Sequence, residues 1–168
     1  MSTVTIVIDM LNDFVHPEGV LYSPNACSII ENIQAETSKS DMPVIFLCDN
    51  HAEDDAEFEL YPPHAIKNTW GAEIIIDLTI SDDDVIVPKT RFSGFYETEL
   101  DDILKGMEAD TLILCGVCTN ICVFLTAVDA VQRGYKVIIH SNQVASFDME
   151  AHEYTLNQLE NVFGVEVR

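Results

Sequence analysis

The chain has 168 residues, 48 % hydrophobic and 22 % charged, which is the composition of an ordinary soluble domain. Its net charge of −21, eight Lys and Arg against 29 Asp and Glu, excludes nucleic acid and anionic membrane surfaces as partners. No apolar run approaches the ~20 residues of a membrane span. The five cysteines lie mostly in strand-like or helical runs, which argues against a disulfide scaffold. The N-terminus runs straight into TVTIVID with no basic leader, so a reduced, cytoplasmic protein is expected. The acidity itself reads as solubility or adaptation to salt rather than as a binding function.

Residues 3–8 (TVTIVI) are a β-branched apolar run, which predicts a strand buried on both faces. The run ends at Asp9, with Asp13 close behind. A carboxylate at the C-terminal edge of a central strand lies where open α/β sheets place their ligands, although a cap or turn residue would sit there equally well. Residues 14–22 read as loop. Ser23-Pro24 predicts an N-cap followed by proline at the first helical position, and Ala26, Ile29, Ile30, Ile33 and Thr37 give that helix an amphipathic face. Residues 44–48 form the next buried strand. The resulting β-α-β unit implies a parallel pair with a right-handed crossover.

Residues 49–72 (DNHAEDDAEFELYPPHAIKNTWGA) are the long irregular stretch, and their length suggests a functional loop or lid. Asp49, His51 and His64 supply one carboxylate and two imidazoles, a set that suits a divalent metal, Zn²⁺ first and Mn²⁺ or Fe²⁺ after it. The plainer account is that both histidines are solvated. Glu57 is a candidate outer or water-linked partner. The acidic run of Glu53, Asp54, Asp55, Glu57 and Glu59 reads mainly as a solvated face.

Residues 73–80 predict either a short helix or an edge segment. Residues 85–87 read as a strand stopped by Pro88, presenting Lys89, Arg91 and Phe92 at its end, with Arg91 a surface or structural charge. Residues 97–105 predict a helix with Leu100, Ile103 and Leu104 inward and Gly106 as its stop. Residues 111–115 are a strand that breaks at Gly116, and residues 120–133 form a largely buried helix with Thr119 as N-cap. Cys122 then falls in the first helical turn, near unpaired N–H groups and the positive end of the helix dipole, which favour a thiolate. A free cysteine is only about 3 % ionised near neutral pH, so such help is what a nucleophilic thiol needs. The spacing of Cys115, Cys118 and Cys122 also admits a thiolate metal site, but Cys115 lies inside a strand and no fourth ligand is near. Residues 135–139 form another strand, and Asp148 caps a last helix carrying Thr155, Leu156, Leu159 and Phe163. The whole predicts one domain over residues 1–168: a three-layer α/β fold, its mostly parallel, Rossmann-like sheet flanked by helices on both faces.

Asp9, Lys89 and Cys122 are thus expected at three strand ends along one edge of the sheet. With IVIDMLNDF at 6–14, DNH at 49–51, YPPHAIKNTWGAE at 61–73, PKTRFSGF at 88–95 and GVCTNICVFLTAVDA at 116–130, the chain resembles the isochorismatase-like cysteine hydrolases, and among them the nicotinamidases. The resemblance covers essentially the whole chain. It implies a catalytic triad of Asp9, Lys89 and Cys122, and metal ligands Asp49, His51 and His64 with Glu57 as a further acidic contributor. It also implies an oxyanion hole from the backbone N–H groups of Cys118 and Cys122, a cis Val117–Cys118 peptide, and Phe14, Tyr61 and Phe92 around a substrate ring. The implied activity is metal-dependent hydrolysis of a small amide through a thioester, nicotinamide to nicotinate and ammonia, by a homo-oligomer (dimer or tetramer). Ala65 and Asn68 depart from residues common in nicotinamidases and bear on substrate more than on reaction class. The alternatives are a related amidase acting on an N-carbamoyl compound or another small amide, and a catalytically silent ligand-binding relative.

Overall fold

β1 (Ser2–Ile8) is buried from its third residue onward, and β2 (Ile45–Asp49) along its whole length, as their apolar sequences require. The computed structural model, which describes residues 2–168, adds β3 (Val85–Lys89), β4 (Ala109–Val117), β5 (Lys136–Ile139), β6 (Val144–Ala145) and β7 (Glu166–Val167). The sheet order is β3-β2-β1-β4-β5-β7, with β6 beside β4, and each of these pairings is parallel. The helices are α1 (Asn12–Val15), α2 (Pro24–Cys27), α3 (Ile30–Thr37), α4 (Leu100–Gly106), α5 (Phe124–Gln132) and α6 (Met149–Asn161). No helix among the described residues is long and apolar enough to cross a membrane.

Strand alternation divides the core in two. Ile6, Ile8, Ile45, Leu47 and Leu112 face Leu100 and Leu104 of α4, Ala127 of α5 and Leu156 and Leu159 of α6. Val7, Phe46 and Cys115 face the other way, onto Ala26 and Ile33 of α2 and α3. This is the three-layer arrangement expected, and each fully buried aliphatic side chain adds roughly 1.5–3 kcal/mol to it.

Several boundaries differ from the sequence reading, each for a local reason. The first long helix is two pieces: Ser28 Oγ donates to Asn25 O at 2.7 Å, and a fresh helix starts at Ile30. Pro88 does not stop β3, because β3 is an edge strand and needs no amide proton there. Gly116 does not break β4; it carries the strand on to Val117. Residues 97–105 become helical only at Leu100, because Glu97 sits at φ 50°. Residues 73–80 are neither helix nor edge strand but a strap, joined by a single bridge from Ile74 to Leu11 and by Ile75 N donating to Met10 O at 3.0 Å.

Candidate active site

The direction of chain crossing reverses between β1 and β4, and a parallel sheet opens a crevice at the C-terminal ends of such a pair. Asp9 follows β1 there at φ 52°, with its backbone N–H on Leu47 O at 2.9 Å. Asp49 and Lys89 are the last residues of β2 and β3 and pair in register. β4 comes so close to β1 that a Cβ at Gly116 would lie 2.0 Å from Ile8 O, and Gly116 adopts φ 112°, so glycine is required on both counts. The Val117–Cys118 peptide that follows is cis. Thr119–Val123 then makes one π-helical turn carrying Cys122 and leads into α5.

Cys118, rather than Thr119, is the N-cap residue of that turn, and no side chain caps it. Thr119 is wholly buried, and its Oγ1 lies 2.8 Å from Nδ1 of the buried His152 on α6. The hydroxyl expected to cap the turn is thus bonded to a neighbouring helix.

Lys89 is the hub of the cluster. The residue is 1 % exposed, and its ammonium lies 2.5 Å from Asp49 Oδ1, 2.8 Å from Asp9 Oδ2, 3.3 Å from Arg91 O and 3.6 Å from Cys122 Sγ. Donor atoms of Asp9, Asp49 and Cys122 lie within 4.8 Å of one another. Burial pushes Asp9 up to about 6, reinforced by the Asp49 carboxylate and opposed by Lys89. Burial disfavours the charged form of Lys89 too, yet Asp49 and Asp9 outweigh it and hold the ammonium protonated. The expectation of a ready thiolate is corrected here. Burial raises the Cys122 thiol well above its ordinary value, Lys89 only partly offsets this, and Asp9 and Asp49 add to the rise. One cation shared between two buried carboxylates has little charge left for a third anion.

Beside this cluster, donor atoms of Asp49, His51 and His64 also lie within 4.8 Å of one another. His51 Nδ1 faces Asp55 Oδ2 at 3.1 Å, and His64 Nδ1 faces Pro62 O at 2.8 Å. Both partners only accept, so the tautomer that suits each ring has its proton on Nδ1 and a lone pair on Nε2. His51 Nε2 is buried and has no hydrogen-bond partner. An orphaned imidazole nitrogen 3.7 Å from Asp49 Oδ2, with a second imidazole and a carboxylate around it, fits a divalent cation. Burial lowers the basicity of His51, but the Asp49 and Asp55 carboxylates outweigh it and raise its pKa to about 8, so a proton and a cation compete for that nitrogen. Glu57 Oε1 lies 3.7 Å from His64 Nε2, within reach of the same site. The alternative thiolate site does not form: Cys115 is buried against β1, its thiol 3.5 Å from Ile6 O, and all five cysteines are free.

Above both clusters opens a cavity of about 220 Å³. Phe14, Tyr61 and Phe92 line it, together with Cys118, Cys122 and His64. Leu21, Ile121 and Phe147 line it too, and none of them carried a signal in the sequence. Asp9, Asp49 and Glu57 are the acidic residues of the lining, and it contains no Lys or Arg. The loop stretch 49–72 is tied down rather than free: His51 N donates to Ala65 O at 3.0 Å, and Asp13 Oδ2 accepts from Ala65 N at 2.8 Å. Gly71 leaves room for that Asp13 carboxylate, since a Cβ there would lie 2.0 Å from Oδ2.

Chemistry gathered at the switch point of a parallel sheet, beneath a pocket, is the arrangement by which open α/β folds hold a small ligand. The isochorismatase domain matches residues 3–167, and the chain belongs to the isochorismatase family. An isochorismatase-like hydrolase from Alkaliphilus metalliredigens is 40 % identical with a TM-score of 0.94, covering 99 % of this chain and 94 % of that one. Nicotinamidase PncA from Bacillus subtilis is 35 % identical with a TM-score of 0.92 over 99 % of each chain. The pyrazinamidase of Pyrococcus horikoshii, solved in complex with zinc, is 29 % identical with a TM-score of 0.92 over 100 % of this chain and 99 % of that one.

Proposed function

We propose that this protein hydrolyses a small uncharged aromatic carboxamide, nicotinamide foremost, to the carboxylate and ammonia. The observation that carries the reading is the meeting of Cys122 Sγ, Lys89 Nζ and the Asp9 carboxylate at the floor of a ring-sized aromatic pocket. Asp9, raised to about 6, takes the thiol proton as sulfur attacks the amide carbon, so the nucleophile is ionised only when used. The N–H groups of Cys118 and Cys122 receive the developing oxyanion. Asp9 passes the proton to the departing nitrogen, ammonia leaves, and the acyl group stays on sulfur as a thioester. Asp9 then takes a proton from water as the water oxygen attacks that thioester, the C–S bond breaks to release the acid, and Asp9 returns the proton to the departing sulfur. Lys89 holds Asp9 in place and balances charge throughout. Asp49, His51 and His64 would hold a divalent metal, zinc foremost, which supplies a Lewis-acid point for a ring nitrogen and so orients the ring.

An acidic, apolar lining with its one nearby ammonium already shared by two carboxylates favours a neutral substrate over an N-carbamoyl amino acid, whose carboxylate would find no cation. The test is ammonia release from nicotinamide, pyrazinamide and an N-carbamoyl amino acid by the purified protein and its Cys122→Ala variant. We expect turnover of the two ring amides, loss on the order of 10³-fold or more in the variant, and about one equivalent of metal per chain. Equal ammonia release with and without the thiol would sink the mechanism, and preference for the carbamoyl acid would sink the substrate.

A further inference from the structure

Asp55 and Arg91 lie outside the residues assigned above. In sequence Asp55 belongs to an acidic run and Arg91 looks like a surface charge. In the fold the Asp55 side chain is 7 % exposed and sits at a junction of three segments. Its Oδ2 lies 3.1 Å from His51 Nδ1. Its Oδ1 accepts from Glu57 N at 2.9 Å and so caps the short 3₁₀ helix Ala56–Glu59. Arg91 Nη1 reaches both carboxylate oxygens, at 3.1 and 3.2 Å, from the loop that follows Lys89. The same Nη1 also donates to Thr90 O, which fixes the guanidinium against its own backbone.

We infer that Asp55, clamped by Arg91, is a positioning residue for a divalent cation at Asp49, His51 and His64. The inference rests on the reading of those three residues as metal ligands. A carboxylate can only accept at His51 Nδ1, so it selects the tautomer whose Nε2 carries a lone pair, and that nitrogen is the buried, unpartnered one facing Asp49 and His64. Without Asp55 the ring could place its proton on either nitrogen and could rotate about its Cβ–Cγ bond. Asp55 acts on two candidate ligands together, because the helix it caps carries Glu57, whose carboxylate lies 3.7 Å from His64 Nε2. Arg91 confines Asp55 to this geometry and offsets its charge beside Asp49 and Glu57. Neither residue lines the substrate cavity, so both act through His51 and Glu57 and not on the reacting atoms.

The experiment is a titration of metal-free protein with Zn²⁺ against a chromophoric chelator at fixed pH, which reads affinity without turnover. Asp55→Ala should weaken zinc binding by about 10–100-fold. Asp55→Asn, whose amide oxygen can still accept from Nδ1–H, should fall between it and the parent protein. Arg91→Ala should show a smaller loss that Arg91→Lys partly restores. Ring ¹⁵N shifts of the zinc-free parent protein, taken above the histidine titration range, should place the His51 proton on Nδ1, and Asp55→Ala should mix the tautomers. Circular dichroism of each metal-free variant separates misfolding from a positioning loss, and Asp55→Asn keeps the question answerable where Asp55→Ala does not fold. Zinc bound equally tightly by folded Asp55→Ala or Asp55→Asn and the parent protein overturns the inference while leaving the metal site standing. A parent protein that takes up no zinc overturns the metal site and the inference with it.

Discussion

Lys89 is an ammonium sealed from water whose neighbours are two buried carboxylates and a thiol. Taking such a group out leaves two anions facing each other in a medium that stabilises neither, and the usual cost of breaking a buried pair is about 3–5 kcal/mol. Lys89→Met should therefore lower stability to urea by about that amount. Adding Asp9→Asn should recover part of the loss, because one of the stranded charges is then gone. A Lys89→Met protein as stable as its parent would show that Asp9 and Asp49 share a proton and do not depend on the lysine. In sequence Lys89 stands just past a strand end, in a chain with only eight Lys and Arg. Its pairing was not visible, since register between β2 and β3 decides that Asp49 and Lys89 meet. Asp55 was invisible for a similar reason: among five acidic residues in seven positions, nothing local says which one a distant arginine will hold.

At the scale of elements, the turn carrying Cys122 leans on α6 through the contact between Thr119 and His152. Burial lowers the His152 pKa below its ordinary 6.5, only partly opposed by Glu153, so the fold prefers the neutral ring. The unfolded chain then takes up the proton first as pH falls. The stability this histidine contributes is present above about 6.5 and lost progressively below it. Unfolding free energy measured between about pH 7.5 and 5.5 should drop less in His152→Gln than in the parent protein, by the share that belongs to this ring. Parallel slopes for the two proteins would mean that His152 does not titrate differently on folding. Elements whose ends are written in side chains were legible: β1 stopping at Asp9, β2 at Asp49, and α6 capped by Asp148, which accepts from Glu150 N and Ala151 N. Elements whose ends are set by neighbours were not. β4 runs through Gly116 because β1 lies against it, β3 runs through Pro88 because nothing pairs beyond it, and the π turn exists only in the packed molecule.

Taken whole, the molecule carries 29 acidic side chains against eight Lys and Arg, and two of those cations, Lys89 and Arg91, are occupied near the pocket. Self-repulsion among the rest opposes the folded state and is screened within about 10 Å at 0.1 M salt. Raising sodium chloride from about 10 mM to about 500 mM should raise the melting midpoint, at roughly 2–4 °C for each kcal/mol of repulsion removed. A flat response would show that the surface charges are spaced widely enough not to matter. The layer order and the parallel sheet were legible at this scale because alternating apolar runs and helical faces leave few other ways to bury themselves. The pocket wall was not, since Leu21, Ile121 and Phe147 reach it only after the chain has closed on itself. Asp13 gives that wall an unusual construction: one carboxylate accepts from Val20 N and from Ala65 N, fastening two separate flanks of the mouth to α1. The two flanks therefore meet at one residue, and losing its carboxylate loosens both at once.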